Sequence, residues 1–286
     1  MEINGRKIGH AQPAWICAEI GISHNGSFET AQKLIDVAVD AGCDAVKFQK
    51  RTIDIVYTQE ELSKPRESVF GDTNEDLKRG LEFSFDDYVA IDAYCHHKGI
   101  LWFASPWDIK SVEFLKGFRI PLYKVASPCL TDEKLLDAIC STDKPILMSI
   151  GMSSLKEVSS ACKIIEKWGN PYVLLVCTSS YPCKLEDLNL KRIKTLINQG
   201  HPVGYSGHEV GLWTTLCAVA MGACVVERHI TLDRAMWGSD QAASIEPPGL
   251  KKLVKEIRDF EKALGDGKIG MIEAERPVME KLRRFR

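Results

Sequence analysis

Two imidazoles and two ammonium groups stand at the ends of apolar runs in this chain. His208 and His229 close the stretches V-G-Y-S-G-H and C-V-V-E-R-H. Neutral imidazoles from neighbouring strands can hold a divalent transition metal, and two protein ligands leave positions open for water and substrate. The alternative is two unrelated polar histidines, and spacing leaves both readings open. Lys47 in D-A-V-K-F-Q and Lys124 in P-L-Y-K-V-A-S lie within strand-like apolar runs. A lysine there is costly unless it meets an anion. The pair therefore suits a phosphorylated or carboxylated ligand, with Ser105, Ser127, Ser149 and Ser206 as nearby hydroxyl donors. A structural alternative pairs each lysine with a carboxylate such as Glu19. A third reading makes Lys124 a Schiff-base lysine, which the paired histidines and the serine cluster speak against. Glu19 closes W-I-C-A-E-I-G and is fit to act as acid, base or hydroxyl anchor. Asp240, in W-G-S-D-Q-A-A-S, is as compatible with an ordinary turn as with a site. His24, just after the first run, is a further candidate for the same location, whereas His10, His96, His97 and His201 read as surface residues.

These groups need a scaffold that brings all of them to one place. Apolar runs at 14–19, 44–48, 100–104, 121–126, 145–149, 172–177, 202–206 and 224–229 read as buried parallel strands. Helical patterns alternate with them at 29–41, 84–98, 108–117, 131–141, 153–168, 186–199, 210–222 and about 248–264. In the first helix Ala31, Leu34, Ile35, Ala38 and Val39 share a face, and Gly42 ends it. Strand–helix alternation repeated eight times predicts a closed (β/α)8 TIM barrel. In that fold the strand C-termini converge on one mouth, where active sites are built. Asn4-Gly5 predicts a hairpin covering the barrel bottom. The charged, aperiodic stretch 50–80 predicts a loop inserted on the mouth side, able to fold over the site.

Composition narrows the classes. A 45% hydrophobic and 27% charged chain is ordinary for a globular protein. A net charge of −2 supplies no basic field for nucleic acid, and no apolar run is long enough to span a bilayer. The N-terminus shows no secretory h-region, so a cytoplasmic location is expected. The ten cysteines include no C-x-x-C pair, and most fall within apolar runs or helix faces. They read as reduced, structural thiols.

The motifs A-E-I-G-I-S-H-N-G, D-A-V-K-F-Q, S-P-W-D, Y-K-V-A-S, M-S-I-G-M-S, C-T-S-S-Y-P, V-G-Y-S-G-H, V-E-R-H-I-T-L-D and D-Q-A-A-S-I-E-P occur in order over residues 13–265. Together they resemble the sialic acid synthase family. The resemblance implies condensation of phosphoenolpyruvate with an open-chain aldose, N-acetylmannosamine or a relative. Phosphate is released by C–O cleavage, leaving a 3-deoxy-2-keto sugar acid. It implies a divalent metal, manganese above magnesium or cobalt, on His208 and His229. It places phosphoenolpyruvate at Lys47, Ser105, Lys124, Ser127, Ser149 and Ser206. Glu19 matches the acid–base carboxylate, and Gln49, Ser179, Tyr181 and Asp240 match positions that touch the sugar. It also implies a homodimer.

The chain departs from the family pattern at Gly207, where Asp is usual, at Gln241, where His is common, and at Ser179, often Asn. All three lie toward the sugar or the metal, so the acceptor's identity is the least fixed part of the reading. Family members continue into a small antifreeze-like domain that supplies an arginine to the sugar. Here residues 1–265 are expected to form the barrel and 266–286 the start of the linker to that domain. An acceptor lacking an N-acyl group, a phosphorylated acceptor or a non-catalytic binding subunit are the alternatives. Lys281, Arg283, Arg284 and Arg286 read as a solvated basic tail, with a substitute lid as the second reading.

Overall fold

A computed structural model describes residues 1–285. Eight parallel strands form one sheet: β1 (Trp15–Gly21), β2 (Ala45–Lys50), β3 (Leu101–Pro106), β4 (Tyr123–Val125), β5 (Ile146–Ser149), β6 (Tyr172–Val176), β7 (Val203–Gly207) and β8 (Val225–His229). Their order, 3-2-1-8-7-6-5-4, brings β3 and β4 side by side and nearly closes a barrel. The eight barrel helices are α1 (Phe28–Ala41), α2 (Phe85–Lys98), α3 (Ile109–Leu115), α4 (Glu133–Cys140), α5 (Leu155–Trp168), α6 (Lys191–Asn198), α7 (Trp213–Ala220) and α8 (Pro247–Ala263). The expected fold is the one observed.

Local chemistry sets the helix ends. Ser27 caps α1 by accepting from the Thr30 amide, and Gly42 stops it in the left-handed region at φ 81°. Capping boxes at Ser84 and Ser154 start α2 and α5. The strand interiors supply the core, with Ile16, Val46, Phe103, Leu147, Leu174 and Val226 fully buried. The N-terminal hairpin pairs Glu2–Ile3 with Arg6–Lys7 through a turn at Asn4 and Gly5, both at positive φ. Arg6 reaches Asp44 and the Ala14 carbonyl, at the N-terminal ends of β2 and β1, so the hairpin covers the barrel bottom as expected.

Strand register places the site. Across β8, β1 and β2, His229 pairs with Glu19 and Glu19 with Lys47, so three ionisable residues share one layer. In β2 and β3, Gln49 pairs with Ser105. The β1–β2 register shifts between Glu19 and Gly21, and Gly21 has φ 53°. A Cβ at Gly21 would lie 2.9 Å from Glu19 Oε1 and 3.1 Å from Gln49 Nε2. Glycine there is what lets both side chains reach the mouth.

The segment 50–80 is built rather than irregular. It holds two single-turn helices, a hairpin pairing Pro65–Ser68 with Gly71–Thr73, and a helix at Asn74–Leu81 that opens on a Thr73–Asp76 capping box. Its short elements fall below the length at which hydrophobic periodicity is visible. Phe70 of the hairpin meets Trp237, 6.1 Å between ring centroids, so the insertion docks on the loop after β8 and rims the mouth. The expected helix at 186–199 is instead a 3-10 turn at Leu185–Asp187 followed by α6.

After α8 the chain forms a 3-10 turn at Glu273–Glu275 and a helix at Arg276–Leu282, both exposed. Arg286 of the basic tail lies outside the described residues. No helix among the described residues is long and apolar enough to cross a membrane. All ten cysteines are free, and eight are buried.

Candidate active site

The strand ends enclose a cavity of about 240 Å3 at the mouth. Of the residues singled out from sequence, Glu19, Lys47, Gln49, Ser105, Lys124, Ser127, Ser149, Ser179, Tyr181, Ser206, His208 and His229 all line it. Asp240 does not; it stands behind His229, with its carboxylate 3.7 Å from Nδ1. A larger hollow of about 440 Å3 lies against α4 and α5, but it is remote from these groups.

On one side the cavity is cationic. Lys124 Nζ donates to Ser149 Oγ at 2.7 Å and to the Val125 carbonyl at 3.0 Å. Burial pulls the Lys124 ammonium below its ordinary pKa. Lys47 Nζ lies 2.8 Å from Glu19 Oε2. Burial works against the Lys47 charge too, but Glu19 and Glu227 outweigh it and leave its pKa raised. Ser206 Oγ donates to Glu227 Oε1 at 3.1 Å, and Lys124 Nζ stands 3.9 Å from the same oxygen. Burial raises the Glu227 carboxyl, but Lys124 and Lys47 reverse this and hold it low. Ser127 Oγ lies 3.2 Å from Cys177 Sγ, which also accepts from the Gly151 amide at 3.1 Å. A Cβ on Gly151 would come within 2.4 Å of Ser179 Oγ. Glycine therefore lets the β5 loop approach this cluster.

Glu19 sits between the two halves. Gln49 Nε2 donates to Oε1 at 2.9 Å, while Oε2 faces the Lys47 ammonium at 2.8 Å. Burial, against the pull of Lys47, raises its pKa to about 7.

The other side carries the imidazoles. His208 and His229 lie with ring centroids 5.4 Å apart, and the Tyr181 ring packs against His208 at 4.2 Å, tilted by 43°. The Thr178 carbonyl takes His208 Nδ1–H at 2.8 Å, which fixes the tautomer with Nε2 unprotonated. Burial, then the neighbouring His229, lowers the His208 pKa to about 4; burial likewise lowers that of His229. Both rings are neutral near pH 7, the form that binds metal. The buried Nδ1 of His229 has no hydrogen-bond partner among the described residues. No cluster of three or more His, Cys, Asp or Glu ligands occurs among the described residues. This pair suits an ion completed by water and substrate.

His24 does not join the site. It is buried, stacks on Phe83 at 4.0 Å and accepts from the Gly26 amide at 3.0 Å. Its role is to order the β1α1 turn.

Sequence reasoning missed Glu227, Trp107 and Met152, which also line the cavity. Glu227 was detectable: it precedes His229 by two residues, and alternate strand residues share a face. Arg228, between them, points outward. It is buried with Glu209 in an ion pair of 3.0 Å behind the barrel wall, and Nη2 donates to the Glu209 carbonyl at 2.7 Å.

Fold and cavity together define a (β/α)8 barrel whose mouth sets two buried lysines and a group of serines beside a pair of histidines. A NeuB family model matches residues 34–269, and the chain belongs to the NeuB family. It is 37% identical over 282 residues to human N-acetylneuraminate-9-phosphate synthase, covering 97% of this chain and 79% of that protein. It is 35% identical over 297 residues to N,N'-diacetyllegionaminic acid synthase of Legionella pneumophila, covering 99% and 82%. The crystal structure of an N-acetylneuraminic acid synthetase from Leptospira borgpetersenii, in complex with citrate, superposes with a TM-score of 0.87 at 33% identity, covering 100% of this chain and 98% of that one.

Proposed function

We propose that this chain condenses phosphoenolpyruvate with the open-chain aldehyde of an N-acylhexosamine or related aldose, releasing phosphate and a 3-deoxy-2-keto sugar acid. The observation that carries the reading is convergence: two buried lysines, Lys47 and Lys124, open into the same cavity as two neutral imidazoles, His208 and His229. Phosphoenolpyruvate brings a phosphate and a carboxylate, which suit the two ammonium groups and the hydroxyls of Ser105, Ser127, Ser149 and Ser206. Lys124, already held by Ser149, is ordered for this before ligand arrives.

In the proposed chemistry, C3 of phosphoenolpyruvate forms a bond to the aldehyde carbon, whose oxygen takes a proton. Water adds to C2 and gives up one proton; the C2–O bond to phosphate then breaks as the new hydroxyl becomes the keto group and its proton leaves with the phosphate. Glu19 serves both transfers: its acid form donates to the aldehyde oxygen, and the resulting carboxylate accepts from water. Burial, which keeps the acid form present near neutrality, supports this assignment. Gln49 fixes the carboxyl plane. His208 and His229 would hold a divalent ion, manganese by preference, with Asp240 orienting His229. Such an ion supplies Lewis-acid polarisation of the aldehyde.

The test is phosphate release on incubation with phosphoenolpyruvate, Mn2+ and a panel of hexosamines, hexoses, pentoses and their phosphates. Phosphoenolpyruvate labelled with 18O at the bridging position should deliver the label to phosphate. Label retained in the keto acid would refute C–O cleavage. No release with any aldose would reassign the protein as a binding subunit.

A further inference from the structure

The cavity wall carries a buried thiol that the chemistry above does not use. Cys177 follows β6 directly and is 1% exposed. It stands behind the cavity lining rather than in it. Its sulfur accepts from the Gly151 amide at 3.1 Å, and Ser127 Oγ, of a residue that does line the cavity, lies 3.2 Å away. Three strand ends thus meet at one sulfur: Ser127 after β4, Gly151 after β5 and Cys177 after β6. The junction is tight. A Cβ on Gly151 would come within 2.9 Å of both Cys177 Sγ and Ser127 Oγ, so only glycine brings this amide to the sulfur. A buried cysteine ordinarily serves as a small hydrophobe. Among the described residues Cys177 is the one whose sulfur is held by a backbone amide and also meets a hydroxyl.

A thiol offers one hydrogen and weak acceptor capacity. The Gly151 N–H uses the acceptor side of this sulfur. Between Cys177 and Ser127 either atom can donate, and no other group among the described residues bonds Ser127 Oγ. An anion in the cavity decides the direction. A hydrogen bond to a charged acceptor is roughly twice as strong as a neutral one, so the serine hydrogen turns to the anion. The S–H then fills the place left at Oγ, while Gly151 keeps the sulfur in position. A hydroxyl held in this way loses little rotational freedom when ligand arrives.

We infer that Cys177 is a positioning residue for phosphoenolpyruvate, its thiol holding Ser127 so that the serine hydroxyl donates to the ligand's anionic groups. This rests on the synthase reading above, and only on its phosphoenolpyruvate half. Cys177 itself touches no substrate. A thiol that merely fills space would act more widely. Cys177 precedes Thr178, whose carbonyl holds His208, so lost packing at position 177 would disturb the imidazole side as well.

The test measures KM for phosphoenolpyruvate, KM for the best aldose of the panel, and Mn2+ affinity, in Cys177→Ala, Ser127→Ala and the double variant. Cys177→Ala should raise the KM for phosphoenolpyruvate roughly three- to tenfold, as expected for the loss of one hydrogen bond, and leave the other two values within about twofold of native. Cys177→Ser, which keeps a donor and an acceptor, should recover most of the affinity. The double variant should bind phosphoenolpyruvate no worse than Ser127→Ala alone, because the thiol acts through that hydroxyl. Cys177→Val, which fills the space without the hydrogen bonds, answers the same question should the alanine variant not fold. Additive losses, an unchanged KM for phosphoenolpyruvate, or equal rises in both KM values with weaker Mn2+ binding would overturn the inference and leave the synthase reading intact. If the native chain releases no phosphate with any aldose, the synthase reading falls, and the same comparisons of phosphoenolpyruvate Kd by tryptophan fluorescence still decide the role of Cys177. A native chain that does not bind phosphoenolpyruvate would remove both.

Discussion

Glu19 and Lys47 form an ion pair of 2.8 Å inside the barrel mouth, yet the Glu19 pKa stands at about 7. Burial outweighs the lysine's attraction, and Glu227 adds repulsion. The pair is thus an acid poised near neutrality rather than a locked salt bridge. With Glu19 required in its acid form, kcat/KM for the aldose should fall as pH rises through about 7. Glu19→Gln should lower turnover by about 10²-fold or more and abolish that limb. A pH profile of phosphate release checks both; an unchanged limb in the variant would assign it to another group.

The lysine nearest Ser149 should report on the other substrate. Lys124→Met removes an ammonium aimed at the proposed phosphoenolpyruvate site and leaves Glu227 with Lys47 as its remaining cation. The expected result is a rise of roughly ten- to hundredfold in KM for phosphoenolpyruvate, the loss of one charge-assisted contact. Trp107 lines the same cavity, so quenching of tryptophan fluorescence on ligand addition gives an equilibrium measure. Unaltered affinity would place phosphoenolpyruvate elsewhere.

Metal binding should be insensitive to pH where free histidine is not. Burial keeps His208 neutral down to about pH 4, and its Nδ1–H is already committed to the Thr178 carbonyl. Mn2+ affinity, measured by calorimetry or by electron paramagnetic resonance of the free ion, should stay nearly level from pH 8 to 6. His208→Asn or His229→Gln should weaken it strongly. A tenfold loss across that range in the native chain would show that the rings titrate freely.

Much of this site was legible because a parallel barrel makes each strand's last inward residue a mouth residue. Lys47, Lys124, Ser149 and His229 could be found from where apolar runs end. Glu227 was overlooked because it sits inside such a run, where a carboxylate looks anomalous until its register with His229 is considered. His24 and Asp240 show the opposite limit. Loop residues have no register, so sequence could not tell that His24 stacks on Phe83 or that Asp240 stands behind the imidazole rather than in the cavity. The insertion hid its elements because each is short and is stabilised by packing on distant loops, as Phe70 is on Trp237.

Acid should destabilise the fold through its buried imidazoles. The pKa of His24 is held at about 3 and that of His208 at about 4, both chiefly by burial. In the unfolded chain these rings take up protons below about pH 6.5. Between that value and their folded pKa the unfolded state binds more protons, so stability is full above about 6.5 and falls as pH drops. Each ring should remove up to about 1.4 kcal/mol per pH unit. Urea midpoints from pH 7 to 5 should show the slope, and His24→Phe should flatten it in part while lowering stability at pH 7.

The departure at Gly207 should prove structural rather than catalytic. A Cβ on Gly207 would stand 2.7 Å from Glu209 Oε2 and from Tyr205 Cε1, and 3.0 Å from Arg228 Cδ. Gly207→Asp would therefore force a second carboxylate against Glu209, which is fully buried and bonded by Arg228, Tyr205 and Thr214. The cost should be about 3–5 kcal/mol, that of breaking a buried charge network. Shortening Glu209 removes both the clash and the like charge, and leaves Arg228 free to pair with the new aspartate. Gly207→Asp/Glu209→Thr should then recover at least half of the loss, a coupling a double-mutant cycle in urea can read. Additive losses would mean that position 207 and the Arg228–Glu209 pair act independently, and that the glycine answers to some other constraint.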